Sequence, residues 1–375
     1  MRARDLGIEI GTGTPGRFNA ITDVPGVRVG HATLTAGTGS LVVGRGPVRT
    51  GVTVLLPHEG SIWDEPLFAG SHSLNGNGEL TGLEWVRESG LLTSPIAITN
   101  THSVGIVRDA LLAGEVRRRR AGQAFGGLPV VGETWDGILN DINGFHVTAE
   151  HVDAAIDAAS GGPVQEGGVG GGTGMICHGF KGGIGTASRT LPEEVGGATV
   201  GVLVQANHGR RERLQVNGVP VGEIVDAQQV SVPDDPDARA AGGGSIIALV
   251  ATDAPLIPTQ CDRLAQRVGL GVARTGGVGE HSSGDIFFAF STANRGMPPA
   301  EDGEGGELTT TVDVLSHAYI THLFDAVIES TEEAIVNALV AAETMEGRDG
   351  ITAYGLDGNL LLEIMERFGR ARRQS

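Results

Sequence analysis

The chain has 375 residues, a formal charge of −18, 40% hydrophobic residues and only 4% aromatic ones. A surface this acidic repels phosphate backbones and argues against nucleic acid as a partner. The apolar fraction is too high for a disordered chain, and no apolar run reaches the roughly 18 residues that a membrane span requires. The 61 glycines are more than twice the usual share of about 7%, with no Gly-X-Y period, so the backbone must turn tightly or approach its neighbours closely at many points. Met1 to Arg17 lacks the apolar segment of a secretory signal, and Cys177 and Cys261 are too few for a disulfide framework. A cytoplasmic address is expected.

Short apolar runs alternate with helical patterns, the signature of an α/β fold. Strands are predicted at Val52 to Leu56, Pro95 to Thr99, Val130 to Gly132, Ala198 to Gln205, Ile246 to Thr252 and Ile286 to Ser291. Each is nearly continuous in apolar residues, as expected for strands covered on both faces. Helices are predicted at Val104 to Arg119, Thr148 to Ala159, Thr259 to Val268 and Ala318 to Glu343, with Thr148 and Thr259 as N-caps. The basic run Arg117 to Arg120 reads as the solvated end of the first helix, and Leu323, Val327, Ile335 and Leu339 as a core-facing stripe on the last. No period of 20 to 50 residues marks a repeat protein. Residues 231–244, with two prolines, three aspartates and three terminal glycines, read as an exposed linker.

That linker ends at Gly244-Ser245, where a serine opens a buried strand. The junction suits self-cleavage as well as it suits an ordinary linker. The Ser245 hydroxyl can attack the preceding carbonyl, glycine at 244 has no Cβ to obstruct the attack, and the released α-amine has an ordinary pKa of about 7.7–8.0. Such an amine can act as general base for the hydroxyl on its own residue. Downstream, Gly279-Glu280-His281-Ser282-Ser283-Gly284-Asp285 offers hydroxyl and carboxylate groups at a strand mouth, able to orient Ser245; His281 there reads more readily as structural than as a base. Asn207, after the strand ending at Gln205, is a candidate oxyanion donor. The glycine-rich run 167–174 followed by Lys181 fails as a phosphate loop, because Gly182 stands where Ser or Thr is required. Close backbone packing is its expected use. The histidines and cysteines show no short metal-binding spacing, so no metal is expected.

At these residues the chain resembles the D-stereospecific aminopeptidases (L-aminopeptidase/D-esterase) and the β-peptidyl aminopeptidases. The likeness runs through Ile21-Thr22-Asp23-Val24-Pro25-Gly26-Val27-Arg28-Val29-Gly30-His31, Gly76-Asn77-Gly78-Glu79-Leu80-Thr81-Gly82, Asn100-Thr101-His102-Ser103-Val104-Gly105, the stretch 167–187 and Gly244-Ser245. It implies a four-layer α/β/β/α sandwich similar to N-terminal-nucleophile hydrolases but differently connected. It also implies one domain over residues 1–375 that splits itself into 1–244 and 245–375, and homo-oligomers of the resulting αβ units. The implied activity is release of N-terminal L-, D- or β-residues from small peptides, amides and esters, without a cofactor. By position, Ser245 matches the nucleophile, Ser283 and Asp285 the Ser-x-acid pair, and Asn207 the oxyanion asparagine. Glu133 in Gly132-Glu133-Thr134-Trp135 matches the acid that binds the substrate amine. The chain departs from the family where an active-site tyrosine is expected two residues after that acid. Trp135 stands there, and together with Phe145 it is a candidate pocket wall. The competing readings are a self-cleaving acyltransferase of the ornithine-acetyltransferase type, whose nucleophile is threonine, and a glycine-rich binding protein that is never cut.

Overall fold

Two β-sheets lie face to face with helices outside each, in the computed structural model, which describes residues 1–225, 228–233, 244–297 and 309–371. The smaller sheet contains β1 (Arg28–Ala36), β2 (Val48–Leu56), β5 (Ile96–Asn100) and β6 (Val130–Thr134), in the order β1-β2-β5-β6. The larger contains β3 (Leu67–Gly76), β4 (Leu91–Leu92), β9 (Gly183–Thr190), β10 (Thr199–Ala206), β11 (Ile246–Thr252) and β12 (Gly284–Ser291). Their order across that sheet is β4-β3-β12-β11-β10-β9. Between β6 and β9 the short strands β7 (Ile176–Cys177) and β8 (Phe180–Lys181) form a hairpin of their own.

The alternation of side chains along each strand builds the layers. Ile247 and Leu249 of β11 face the other sheet and share a core with Leu55, Ile98 and Val130. Their neighbours Ile246, Ala248 and Val250 face outward, onto Leu264 and Val268 and onto Val327 and Ile335. These outer residues belong to two helices after β11, Pro258–Arg274 and Ile320–Ala341. Across the smaller sheet, Val52, Val54, Ala97 and Val131 pack on helices Val104–Arg118 and Ala149–Asp157. The result is the expected α/β/β/α sandwich, and every predicted strand falls within it. Among the described residues, no helix is long and apolar enough to cross a membrane.

One sequence expectation changes. Thr259 lies inside its helix, because Pro258 with its fixed φ takes the first helical position and Ile257 precedes it as N-cap; Thr148 does hold the N-cap position. The basic run stands at the solvated end of its helix as expected: Arg117, Arg118 and Arg120 are exposed, with Arg117 ion-paired to Asp153 and Arg119 to Glu115 and Asp64. Most of the predicted linker, residues 234–243, lies outside the described residues. The Leu323, Val327, Ile335 and Leu339 stripe is buried as expected.

Candidate active site

Strand pairing alone brings four strand ends together at one end of the larger sheet. β11 and β12 are parallel, with Ile246 opposite Asp285, so both strands start side by side. β10 runs antiparallel to β11 and ends at Ala206, opposite Ile246. β3 ends at Gly76, opposite Gly284. Residues just outside these pairs are thereby brought together: Ser245 ahead of β11, Ser283 ahead of β12, Asn207 after β10, and Asn77 and Gly78 after β3.

Ser245 is 6% exposed. Its Oγ accepts from the Gly284 N–H at 2.9 Å, and its carbonyl accepts from the Asn207 N–H at 3.1 Å. Gly284 can approach this closely because it lacks a side chain; a Cβ there would lie 2.5 Å from the Gly78 Cα. Gly244 is equally confined, since its Cβ would sit 1.8 Å from the Asn207 carbonyl oxygen and 2.7 Å from Asn207 Nδ2. Both obstacles lie on one fixed residue, so only glycine fits the position without moving the strand end.

The Ser283 Oγ bridges two oxygens, the Gly244 carbonyl at 2.5 Å and Asp285 Oδ1 at 2.5 Å. A hydroxyl has one proton to give. Both contacts are hydrogen bonds only when Asp285 is protonated and donates to Ser283, leaving Ser283 free to donate to the carbonyl. Burial favours that state, because desolvation raises the Asp285 pKa to about 6 against the lowering effect of its Ser283 and Ile246 backbone hydrogen bonds, so the protonated form prevails below that value. The arrangement is a proton chain ending on the carbonyl that Ser245 would attack.

Asn207 is held by both ends of its amide. Oδ1 accepts from the Ile176 N–H at 2.8 Å, and Nδ2 donates to the Trp135 carbonyl at 3.0 Å. One Nδ2 proton remains for a developing oxyanion beside Gly244. Glu133, 3% exposed, reaches the same point from the smaller sheet: a Cβ on Gly78 would touch both Gly284 and Glu133 Oε1. Its carboxylate accepts from the Glu79 N–H at 2.9 Å and from the Thr101 hydroxyl. Desolvation nevertheless raises its pKa, more than these donors and the nearby His102 lower it. A carboxylate buried with few partners has capacity left for a cation such as an ammonium group.

The structure therefore gathers Gly244, Ser245, Ser283, Asp285, Asn207 and Glu133 at one place. Trp135 takes part through its backbone carbonyl, while its indole lies over Gly137. Phe145 is 66% exposed and stacks on His102 at the edge of an open cleft of about 520 Å³, one step outward from Thr101 and Glu133. His281 is exposed and takes no part in the cluster's hydrogen bonds. Sequence reasoning missed the roles of Gly284, Gly78 and Thr101; all three stand within motifs noted above, but only the strand register reveals what they touch.

The description "Peptidase family S58" matches residues 19–353. The beta-peptidyl aminopeptidase BapA of Sphingosinicella microcystinivorans is 47% identical over 376 residues, covering 98% of this chain and 93% of that protein. Among solved structures, a Burkholderia sp. beta-aminopeptidase superposes with a TM-score of 0.91 at 57% identity, over 100% of both chains. The L-aminopeptidase D-Ala-esterase/amidase of Ochrobactrum anthropi, described as a prototype serine aminopeptidase and a variant of the Ntn hydrolase fold, gives 0.89 at 43% identity over 99% of both chains. None of these likenesses favours an acyltransferase or a non-catalytic binding protein.

Proposed function

Because the chain belongs to Peptidase family S58 and is a peptide-bond hydrolase, we propose that it is a self-processing serine aminopeptidase with Ser245 as its N-terminal nucleophile. The observation that carries this reading is the Gly244-Ser245 junction itself. Its carbonyl is polarised by Ser283, its hydroxyl is held by the Gly284 N–H, and Asn207 stands beside it.

In the precursor, the Ser245 Oγ attacks the Gly244 carbonyl carbon. The C–N bond breaks, the nitrogen takes up the hydroxyl proton and becomes the Ser245 amine, and Gly244 is left as an ester on Ser245. Water hydrolyses the ester, giving chains 1–244 and 245–375. In turnover the new amine takes the proton from the Ser245 hydroxyl as it attacks a substrate carbonyl, then returns it to the leaving amine. Asn207 donates to the oxyanion, Ser283 and Asp285 orient the nucleophile, and Glu133 holds the substrate's free ammonium.

The names of the similar proteins support small peptides, amides and esters with an N-terminal β- or α-residue as substrates, D-configured ones included. Trp135 in place of a tyrosine bears on which of these is preferred, since an indole donates but cannot accept. A homo-oligomer of processed units in the cytoplasm completes the reading. N-terminal sequencing of the purified protein tests it: a second sequence beginning Ser-Ile-Ile is expected, and Ser245→Ala should leave one uncut, inactive chain. Cleavage in that variant, or activity from a preparation with only the Met1 end, would overturn the proposal.

A further inference from the structure

Next to Asn207 along the chain, His208 meets two further groups, and the reaction above uses none of the three. Cys177, His178 and His208 each present one coordinating atom, and these atoms lie within 4.8 Å of one another. The strand ends bring them together, since the His178 N–H donates to the His208 carbonyl at 2.7 Å. All three residues are buried. Cys177 Sγ is 3.8 Å from His208 Nδ1, close to the separation of about 3.5 Å that a sulfur and an imidazole nitrogen take around one ion, given metal–ligand bonds of about 2.3 and 2.0–2.1 Å.

The hydrogen bonding leaves this cluster incomplete. His178 Nδ1 donates to the Arg210 carbonyl at 3.0 Å, which fixes the tautomer and leaves the Nε2 lone pair as the one it can offer. That Nε2 is buried without a partner, while His208 turns its Nδ1 toward Cys177. An unsatisfied imidazole nitrogen in a dry interior carries an uncompensated desolvation cost unless something binds it.

We propose that Cys177, His178 and His208 form a binding site for a single soft d¹⁰ metal ion, with copper(I) favoured over zinc(II). Thiolate and imidazole are the ligands such ions prefer, and the cluster contains no carboxylate for a hard cation. The preference for a single charge follows from the neighbours. The Lys181 amine, bonded to the Gly172, Met175 and Gly182 carbonyls, faces Cys177, and the Arg211 guanidinium lies against the His178 carbonyl. The opposing charge acting on His178 is that of Glu212. One thiolate neutralises copper(I), whereas zinc(II) would add a net positive charge to this surrounding. Binding displaces the Cys177 thiol proton to solvent and changes no oxidation state.

The test is a competition experiment on the whole protein under anaerobic, reducing conditions, with copper(I) supplied as its bathocuproine disulfonate complex and zinc(II) from a matched chelator. One copper(I) per chain is expected, with X-ray absorption reporting one sulfur and two nitrogen neighbours, and uptake is expected to persist in Cys261→Ser and fail in Cys177→Ser. The wild-type stoichiometry and coordination need no variant, so a misfolded Cys177→Ser protein does not spare the proposal. Uptake of zinc(II) with refusal of copper(I) would overturn the choice of ion. Refusal of both, a coordination shell without sulfur, or uptake undiminished in folded Cys177→Ser would overturn the site.

Discussion

Ser283→Ala removes one oxygen and thereby the side-chain donor on the Gly244 carbonyl. If that donor stabilises the oxyanion formed when Ser245 attacks, its loss should slow processing by about 10²–10³, or roughly 2.7–4 kcal/mol of barrier. The Asp285 carboxyl would also lose its partner, at a cost to stability of about 1–3 kcal/mol, which a protein of this size can survive. The assay is a time course on denaturing gels. Dividing 38.6 kDa in the ratio of the two segments gives bands of about 25 and 13.5 kDa, and circular dichroism verifies the fold. The proton chain adds a pH signature. Ser283 can donate to the carbonyl only while Asp285 holds its proton, and the Asp285 pKa is raised to about 6, so processing should be fastest below that value. As pH rises through it, the competent fraction falls, reaching about a hundredfold loss two units higher. Asp285→Asn keeps a donor at every pH, and its rate should be flat across this range. Wild-type processing that ignores pH, or Ser283→Ala cleaving at the wild-type rate, would refute the reasoning.

Asn207→Ala should lower turnover of mature enzyme at least tenfold, because its amide is held ready by Ile176 and Trp135; steady-state kinetics with an aminoacyl p-nitroanilide reads the effect, and unchanged kinetics would dismiss the role. Glu133→Gln should raise KM for substrates with a free amine by roughly ten- to a hundredfold, the worth of a charge-assisted bond of about 1.5–3 kcal/mol, and leave N-blocked esters nearly unaffected. An equal effect on both substrate types would count against the amine anchor. Gly244→Ala should block processing, because its Cβ would fall 1.8 Å from the Asn207 carbonyl oxygen; normal cutting of that variant on the same gels would contradict the packing described at the junction.

The strands legible in the sequence are those with apolar side chains on both faces, such as Ile246–Thr252 and Thr199–Ala206. Two that escaped carry polar residues. In β9, Gly183–Thr190, the hydroxyls of Thr186 and Ser188 and the guanidinium of Arg189 are buried and paired, so the apolar run that announces a strand is absent. β3 escaped for a different reason: its second half, Ser71-His72-Ser73-Leu74-Asn75-Gly76, is polar and partly exposed, so no apolar run marks it. Ser245, Ser283, Asp285 and Asn207 were readable because each stands beside the end of a strand that could be predicted. Glu133 needed the family resemblance, since nothing in its local sequence says that the second sheet delivers it to Gly78. The cluster of Cys177, His178 and His208 was invisible because Cys177 and His208 are 31 positions apart and only the meeting of β7 with the end of β10 joins them.

The pairings on either side of the central β11–β12 pair both cross the proposed cut: β11 lies against β10, and β12 against β3. Arg4 and Arg189 upstream are likewise tied to Glu329 and Glu333 on the helix Ile320–Ala341 downstream. Severing the backbone at 244 thus frees neither piece. Each would be left with half a sheet and a raw hydrogen-bonding edge, so separately expressed halves should precipitate alone and become soluble only when renatured in one another's company.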